Sequence, residues 1–323
     1  MLTFSLGNPM TPSSMKLVRI HAFGGPEVLS LDDVPVPKLR DDEILVRVHA
    51  ASVNPIDFKI RSGGHSMVKE NQLPFPMGRD CSGVVERSGS GVGTLQAGAE
   101  VFAMSGIGYG TYAQYVILKP DQCAVRPTSF DHAHAAAVPL AALTAWQGLF
   151  DHGGLGKGQR VLIHGGGGGV GHMAVQFARY AGAHVIATAS ERDIDFVREL
   201  GADEAIDYHG EPFEQIVKDI DVVYDLIGGA TRDRSFGVLR RGGILVSTLG
   251  EPSREKASVS GVRVAGYMAQ PDATQLGRIA ALIDDGDIRV NIARTFPLEQ
   301  AAAAQDFLEN EHVRGKVVLV GIA

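Results

Sequence analysis

The sequence predicts an α/β protein of two lobes, a partly closed β-barrel followed by a doubly wound parallel sheet. Three observations carry this. The first third is broken by Gly and Pro into short alternating runs, strands and amphipathic helices alternate after Asp131, and a glycine run stands between a strand and a helix. Length agrees, since 323 residues exceed one ordinary core. Apolar residues at 45% and charged residues at 21% are those of a globular chain, and no apolar stretch approaches the roughly 20 residues of a membrane span. A net charge of -7 without any basic run offers nucleic acid no general attraction. Cys81 and Cys123 lie outside any CxxC pattern, so a disulfide framework is excluded and a reducing cytoplasm is expected. The first fourteen residues lack the basic and apolar regions of a secretory signal, and the folded part is expected to begin near Met15.

The clearest early strand is Glu43 to Ala50, where Ile44, Val46, Val48 and Ala50 face one way and Leu45, Arg47 and His49 the other. Leu17 to Ala22, Gly83 to Glu86, Glu100 to Ala103 and Tyr112 to Leu118 are further strands, too many short ones for a parallel sheet alone. From Asp131 to Phe150 an alanine-rich stretch reads as helix interrupted by Pro139. Strands are then expected at Arg160 to His164, His184 to Thr188, Ala205 to Asp207, Asp221 to Ile227, Gly243 to Leu249 and Val262 to Met268. Between the first two, Val170, Ala174, Phe177, Ala178 and Ala181 recur at helical spacing, and Ile194, Val197 and Leu200 mark the next helix. Such alternation specifies a doubly wound sheet, because parallel neighbours need crossover connections. A helix near Asp272 to Asp284, a strand near Arg289 to Thr295, a helix near Leu298 to Asn310 and a strand Lys316 to Val320 end the chain and can return to the first lobe. The expected division is 15–132 completed by 286–323, with 133–285 as the second unit.

The segment VLIHGGGGGVGHMAVQFA places Gly166, Gly168 and Gly171 in G-x-G-x-x-G register. Directly after a strand and before a helix, this is a dinucleotide fingerprint of a Rossmann domain. The first Gly permits the turn, the second admits the pyrophosphate, and the third lets helix and strand approach. Backbone N–H groups through Gly169 and Val170 and the positive helix end would meet the anion. An NAD-binding fold normally places an acid at the end of the second strand, against the ribose. Here that strand ends at Ser190, whose hydroxyl tolerates a 2'-phosphate, and Arg192 can bind one. NADP(H) is therefore the expected cofactor, although Glu191 is adjacent and a solvated helix start is the other reading of Arg192.

Metal and nucleophile chemistry find little support. His132 and His134 are two apart and point to different faces of a helix, a solvated start being the default. No HExxH, paired CxxC or GxSxG elbow is present, and Cys81 and Cys123 read as core or strand residues.

Six segments resemble the zinc-independent, quinone oxidoreductase and ζ-crystallin-like branch of the medium-chain dehydrogenase/reductases. They are SVNPIDFKIRSG at Ser52 to Gly63, GRDCSGVV at Gly78 to Val85, LTAW at Leu143 to Trp146, the glycine run, ELGADEAIDY at Glu199 to Tyr208 and RGKVVLV at Arg314 to Val320. The resemblance implies a GroES-like β-barrel catalytic domain completed by the C-terminal segment, with the active cleft between it and the Rossmann domain. It also implies no metal. Zinc-dependent relatives carry Cys, His and Cys where this chain has Asn54, Arg79 and Leu140, and their four-cysteine structural lobe is impossible with two cysteines. Without a Lewis acid for an alkoxide, reduction of a quinone or enone is the better match.

Carried onto this chain, the resemblance places Asn54 near the nicotinamide ribose and Thr144 near the carboxamide. Ser190, Arg192 and Tyr208 fall around the adenosine 2'-phosphate, and Lys316 joins the cofactor-binding set. Plainer roles stand beside these: Asn54 starting a helix ahead of Pro55, Thr144 satisfying a backbone group, Tyr208 packing. For Asp57, Lys59 and Arg61 a surface ion-pair role is at least as good a reading as chemistry. The expected reaction is hydride transfer from NADPH to a quinone or an α,β-unsaturated carbonyl, with Asn54 and Tyr112 as catalytic candidates. Water can replace Tyr112 as the proton source, and packing in the barrel is the plainer role for that ring. Two rivals are an enoyl-thioester reductase, whose basic entrance the sequence does not display, and a non-catalytic NADPH-binding or sensing protein. A homodimer paired through Val262 to Met268 is expected, unless the loop Gly250 to Gly261 covers that edge.

Overall fold

The computed structural model describes residues 11–210 and 212–322. Through the first lobe run β1 (Ser14–Ile20), β2 (Leu29–Pro35), β3 (Ile44–Val53), helix α1 (Pro55–Arg61), β4 (Phe75–Pro76), β5 (Asp80–Ser88), β6 (Glu100–Met104), β7 (Tyr115–Leu118) and β8 (Cys123–Val125). The alternation in β3 works as its side chains dictate. Ile44, Val46 and Val48 enter the main core of the lobe, whereas Leu45 enters a second cluster with Met15, Leu17, Ala113 and Tyr115. Strand β3 is central, pairing antiparallel with both β5 and β7. The expected strand Tyr112 to Leu118 starts only at Tyr115. Ala113 makes an isolated bridge to Leu17, and Tyr112 turns fully inward.

The alanine-rich stretch becomes α2 (His132–Ala136) and α3 (Pro139–Trp146), with a π-helical continuation Gln147–His152. Pro139 begins α3, at the first turn where its missing N–H costs nothing. His132 is no solvated helix start: its ring stacks on His49 at 4.4 Å, and its Nδ1 lies 2.9 Å from Ser82 Oγ.

The second lobe follows as β9 (Arg160–His164), α4 (Gly171–Tyr180), β10 (His184–Ala189), α5 (Ile194–Glu199), β11 (Glu204–Asp207), α6 (Phe213–Ile216), β12 (Ile220–Asp225), α7 (Gly229–Ser235), β13 (Leu239–Ser247), α8 (Arg254–Ser260), β14 (Arg263–Gly266) and α9 (Ala273–Asp284). The strands form one parallel sheet in the order β11-β10-β9-β12-β13-β14. Both faces are buried, as parallel sheets require. Val161 and Ile163 of β9 pack with α3, α4 and α9, while Leu162 packs with Phe213 and Phe236 on the other side. Strand order reverses between β9 and β12, so the switch-point crevice opens at the carboxyl end of β9, where the glycine run stands.

The chain then returns through β15 (Ile292–Pro297), α10 (Ala301–Asn310) and β16 (Lys316–Val320). Strand β16 pairs antiparallel with β3, so the last strand completes the sheet of the first lobe. Phe102, Met104 and Ala124 of that lobe share one apolar cluster with α3, α4 and α9, which seals the two lobes together.

Candidate active site between the lobes

The glycine turn is shaped by what a side chain would strike. A Cβ on Gly171 would lie 2.0 Å from Gly165 O, and one on Gly166 would lie 3.0 Å from Ala187 Cβ. A Cβ on Gly168 would meet only Gly165 O, at 3.5 Å. Gly166 and Gly171 are thus fixed by packing, whereas Gly168 leaves open backbone where a pyrophosphate must approach. Gly165 and Gly166 N–H groups donate to Thr188 O at 3.1 and 2.9 Å, anchoring the turn to β10. Helix α4 begins at Gly171 with Val170 at its N-cap, and the first N–H groups of a helix have no partner within it. The C-terminal segment closes the turn from above. Gly315 N–H donates to Gly167 O at 3.0 Å, and Lys316 Cδ lies 3.1 Å from where a Gly169 Cβ would stand.

Beneath the turn lies a buried polar array. Asn54 is the N-cap of α1: its backbone N–H donates to Asp57 Oδ2 at 2.8 Å, while its side chain turns away from the helix. Asn54 Nδ2 donates to Asp80 Oδ2 at 2.9 Å, and Lys316 Nζ donates to Asn54 Oδ1 at 2.5 Å. Asp80 and Lys316 are buried, and burial pushes the carboxyl up and the ammonium down while each charge favours the other. Lys316 Nζ stands 3.8 Å from Asp80 Oδ2. The positions of Arg79 and Leu140 converge here too. Leu140 N–H donates to Asp80 Oδ1 at 2.8 Å, and the Arg79 guanidinium is committed to Ser105 O at 2.9 and 3.1 Å.

Tyr112 sits behind this array with no exposed surface, its hydroxyl donating to Asp57 Oδ2 at 2.7 Å. Burial pushes the Asp57 carboxyl up to about 6, against the bonds from Tyr112 and Asn54. Burial also raises the Tyr112 hydroxyl well above its ordinary range. The surface-pair reading of Asp57 and Arg61 is corrected, since both are buried. Arg61 donates to Gln305 Oε1 at 3.0 Å, Glu309 Oε2 at 2.6 Å and Gly24 O at 3.3 Å, tying α1 to α10. Lys59 alone of the three is exposed. Thr144 Oγ1 donates to Leu140 O at 2.6 Å, and the Thr144 carbonyl accepts from the hydroxyls of Tyr224 and Tyr267 at 2.9 and 2.5 Å. Tyr267 therefore faces inward rather than lining an open strand edge.

At the adenosine end the sequence concealed an acid. Asp193 is buried beneath the glycine turn and accepts from Ser190 Oγ at 3.0 Å. It also meets Arg314 Nε at 2.8 Å and His312 Nε2 at 2.6 Å. Burial alone would raise its carboxyl, but the hydrogen bonds from Arg314, Ser190 and His312 outweigh that and hold it below the usual range. Arg314 donates as well to Arg192 O at 2.5 Å. Arg192 is exposed, and so is Tyr208, whose ring lies 4.2 Å from that of His209. Arg314, His312 and Asp193 form a set that no local spacing could reveal.

A glycine turn with open backbone at a strand switch point, above a buried polar array shared by the two lobes, is the arrangement of a dinucleotide-dependent oxidoreductase. Among the described residues no three metal-ligating side chains gather. Residues 40–128 match the alcohol dehydrogenase GroES-like domain, and 200–319 match the family described as zinc-binding dehydrogenase. The NADPH-dependent alkenal/one oxidoreductase, chloroplastic, of Arabidopsis thaliana is 34% identical over 96% of this chain and 81% of its own. The structure of the quinone oxidoreductase from Coxiella burnetii superposes with a TM-score of 0.89 at 37% identity, covering 95% of this chain and 99% of that one. Escherichia coli quinone oxidoreductase, complexed with NADPH, superposes at 0.86 with 28% identity, covering 94% and 99%. The chain belongs to the medium-chain dehydrogenase/reductases, on their quinone oxidoreductase branch.

Proposed function

We propose that this protein reduces quinones or α,β-unsaturated carbonyl compounds with NADPH and without metal. The observation that carries the reading is the fate of the three positions where zinc-dependent relatives bind their ion. Asn54 is locked between Asp80 and Lys316, Arg79 grips Ser105 O, and Leu140 offers only an apolar side chain and a committed N–H. No Lewis acid can be held there by these groups, which disfavours alcohol oxidation. Reduction of a conjugated carbonyl needs less, because charge spreads onto an oxygen that hydrogen bonds can hold.

Bound NADPH would supply the hydride. The chain's own task is orientation. Gly168 to Gly171 would hold the pyrophosphate, Asn54, with Lys316 behind it, the nicotinamide ribose and the α3 segment at Thr144 the carboxamide. Ser190, Arg192 and Tyr208, with Arg314 now added, would surround the 2'-phosphate. Preference for NADPH over NADH is supported by the Arg314 guanidinium, which pairs with the buried Asp193 carboxylate at that corner. The enclosure of Tyr112 against Asp57 supports water, entering from the cleft, as the source of the final proton.

Three further parts belong to the proposal. The division into 15–132 with 286–323 and 133–285 is supported by β16 pairing with β3. A homodimer through β14 is supported by its place at the edge of the sheet. Cytoplasmic residence is supported by two free, buried cysteines; no described helix is long and apolar enough to cross a membrane. Steady-state oxidation of NADPH by quinones, enals and enoyl-CoA compounds tests the reaction. Turnover of quinones or enals, unchanged after exhaustive chelation, is expected. Preference for enoyl-CoA would make it a thioester reductase, and tight NADPH binding without turnover would make it a sensor.

A further inference from the structure

One buried carboxylate bonds to both lobes beneath the glycine turn. Asp80 Oδ2 accepts from Ser52 Oγ at 2.6 Å and Asn54 Nδ2 at 2.9 Å, all within the first lobe. Asp80 Oδ1 accepts from the Leu140 N–H at 2.8 Å, in the first turn of α3, where a helix leaves donors unpaired and favours negative charge. The same carboxylate therefore positions Asn54 and the helix that carries Thr144.

Its effect on Asn54 follows from the inventory of donors and acceptors. Lys316 has only protons to give and the Asp80 carboxylate only lone pairs. With the cation on one arm of the Asn54 amide and the anion on the other, one orientation satisfies both. Rotating the amide would set N–H against ammonium and oxygen against carboxylate. Both Nδ2 protons have partners inside the protein, Asp80 and Ser52 O at 3.3 Å, whereas Oδ1 keeps a lone pair beyond the one taken by Lys316.

We propose that Asp80 is a positioning residue that acts through Asn54, holding its amide as a pure hydrogen-bond acceptor toward the nicotinamide-ribose hydroxyl of the cofactor. This rests on the reading of Asn54 as a ribose contact. A reciprocal exchange tests it, with NADPH dissociation constants from nicotinamide fluorescence as the readout and circular dichroism as the check on folding. Asp80→Asn sets two donors face to face, and Asn54→Asp sets two carboxylates face to face. Each should weaken NADPH binding by about tenfold or more, the scale of a charge-assisted hydrogen bond. The double exchange restores one donor against one acceptor between positions 54 and 80, leaves Lys316 beside a carboxylate and keeps position 54 a pure acceptor, giving up only the longer bond to Ser52 O. It should bind within about threefold of wild type, since the bond that orients position 54 is recovered.

A double variant that folds yet binds no better than the singles, or singles that bind normally, would overturn the proposal. If the substituted proteins do not fold, the wild-type protein decides. The Asn54 side-chain amide protons, seen by nuclear magnetic resonance, should exchange slowly and keep their shifts when NADPH binds. Rapid exchange would mean that Asp80 does not hold the amide, and a large shift that the amide donates to the cofactor; either overturns the assignment. Because the readout is binding, a wild type that holds NADPH but reduces neither quinones nor enals would sink the proposed reaction and leave this inference standing.

Discussion

Gly168 and Gly171 lack a side chain for opposite reasons, and substitution separates them. Gly168→Val projects into open space, so the protein should fold while its NADPH affinity disappears. Gly171→Ala drives a methyl into the Gly165 carbonyl and should cost about 1–3 kcal/mol of stability or more. Thermal melting beside a fluorescence titration distinguishes the two outcomes, and a Gly168→Val protein that keeps its affinity would show the turn to be misassigned. At the adenosine end, Arg192→Ala should weaken NADPH by about 1–3 kcal/mol and leave NADH alone. Arg314→Ala should weaken NADPH more, because it also frees the Asp193 carboxylate next to the phosphate. Equal losses for NADH in either variant would detach that residue from phosphate recognition. The glycine register was legible because its meaning is local. Asp193 was not, since the residues that bond to it lie 119 and 121 positions further along.

Among the elements, those with a strong period were readable and those shaped by neighbours were not. Strand β3 and helix α4 announced themselves through alternation and helical spacing. Tyr112 left its expected strand because Asp57 offers its hydroxyl a buried partner, and α3 ends in a π-helical turn where Gly148 lies against the rings of Tyr224 and Tyr267. Strand β14 ends at Gly266, and Tyr267 beyond it is drawn to the Thr144 carbonyl. Two elements also carry an acid sensitivity. Burial holds His164 on β9 and His172 on α4 at about 4, so the fold keeps them neutral while the unfolded chain protonates near 6.5. Proton uptake by the unfolded chain then erodes stability as pH falls from about 6.5 toward 4, by roughly 3 kcal/mol for each histidine. Asp57, at about 6, works in reverse over most of that interval, since the native chain takes up its proton first. His132 on α2 is held at about 4 in the same way, and the three histidines outweigh the raised carboxyls of Asp57 and Asp80. The melting temperature should fall between about pH 6.5 and 4, and His164→Gln, which keeps a polar partner for Thr188 and Ser235, should flatten the slope. A melting temperature that rises on acidification would contradict the assignment.

At the scale of the molecule, β14 has a partner on one side only among the described residues. Its far end is covered by its own chain, since a Cβ on Gly266 would lie 2.4 Å from Glu251 Cα. Arg263 to Ala265 remain as an edge that a second copy can continue across a two-fold axis. Light scattering at micromolar concentration should give twice the mass of 34.3 kDa. Val264→Pro should reduce it to the monomer, provided circular dichroism shows the sheet intact. A dimer that survives this substitution lies elsewhere on the surface.

The return of β16 also imposes an order on the birth of the protein. The glycine turn emerges from the ribosome roughly 150 residues before Lys316, a delay of about 7–30 s at ordinary rates of synthesis. Throughout that interval β3 lacks its final neighbour, Asn54 lacks its cation, and Asp193 lacks Arg314 and His312. A nascent chain can raise the parallel sheet and its glycine turn while the groups that close over that turn are still unmade. The buried polar array is therefore completed late, when the last strand is laid down.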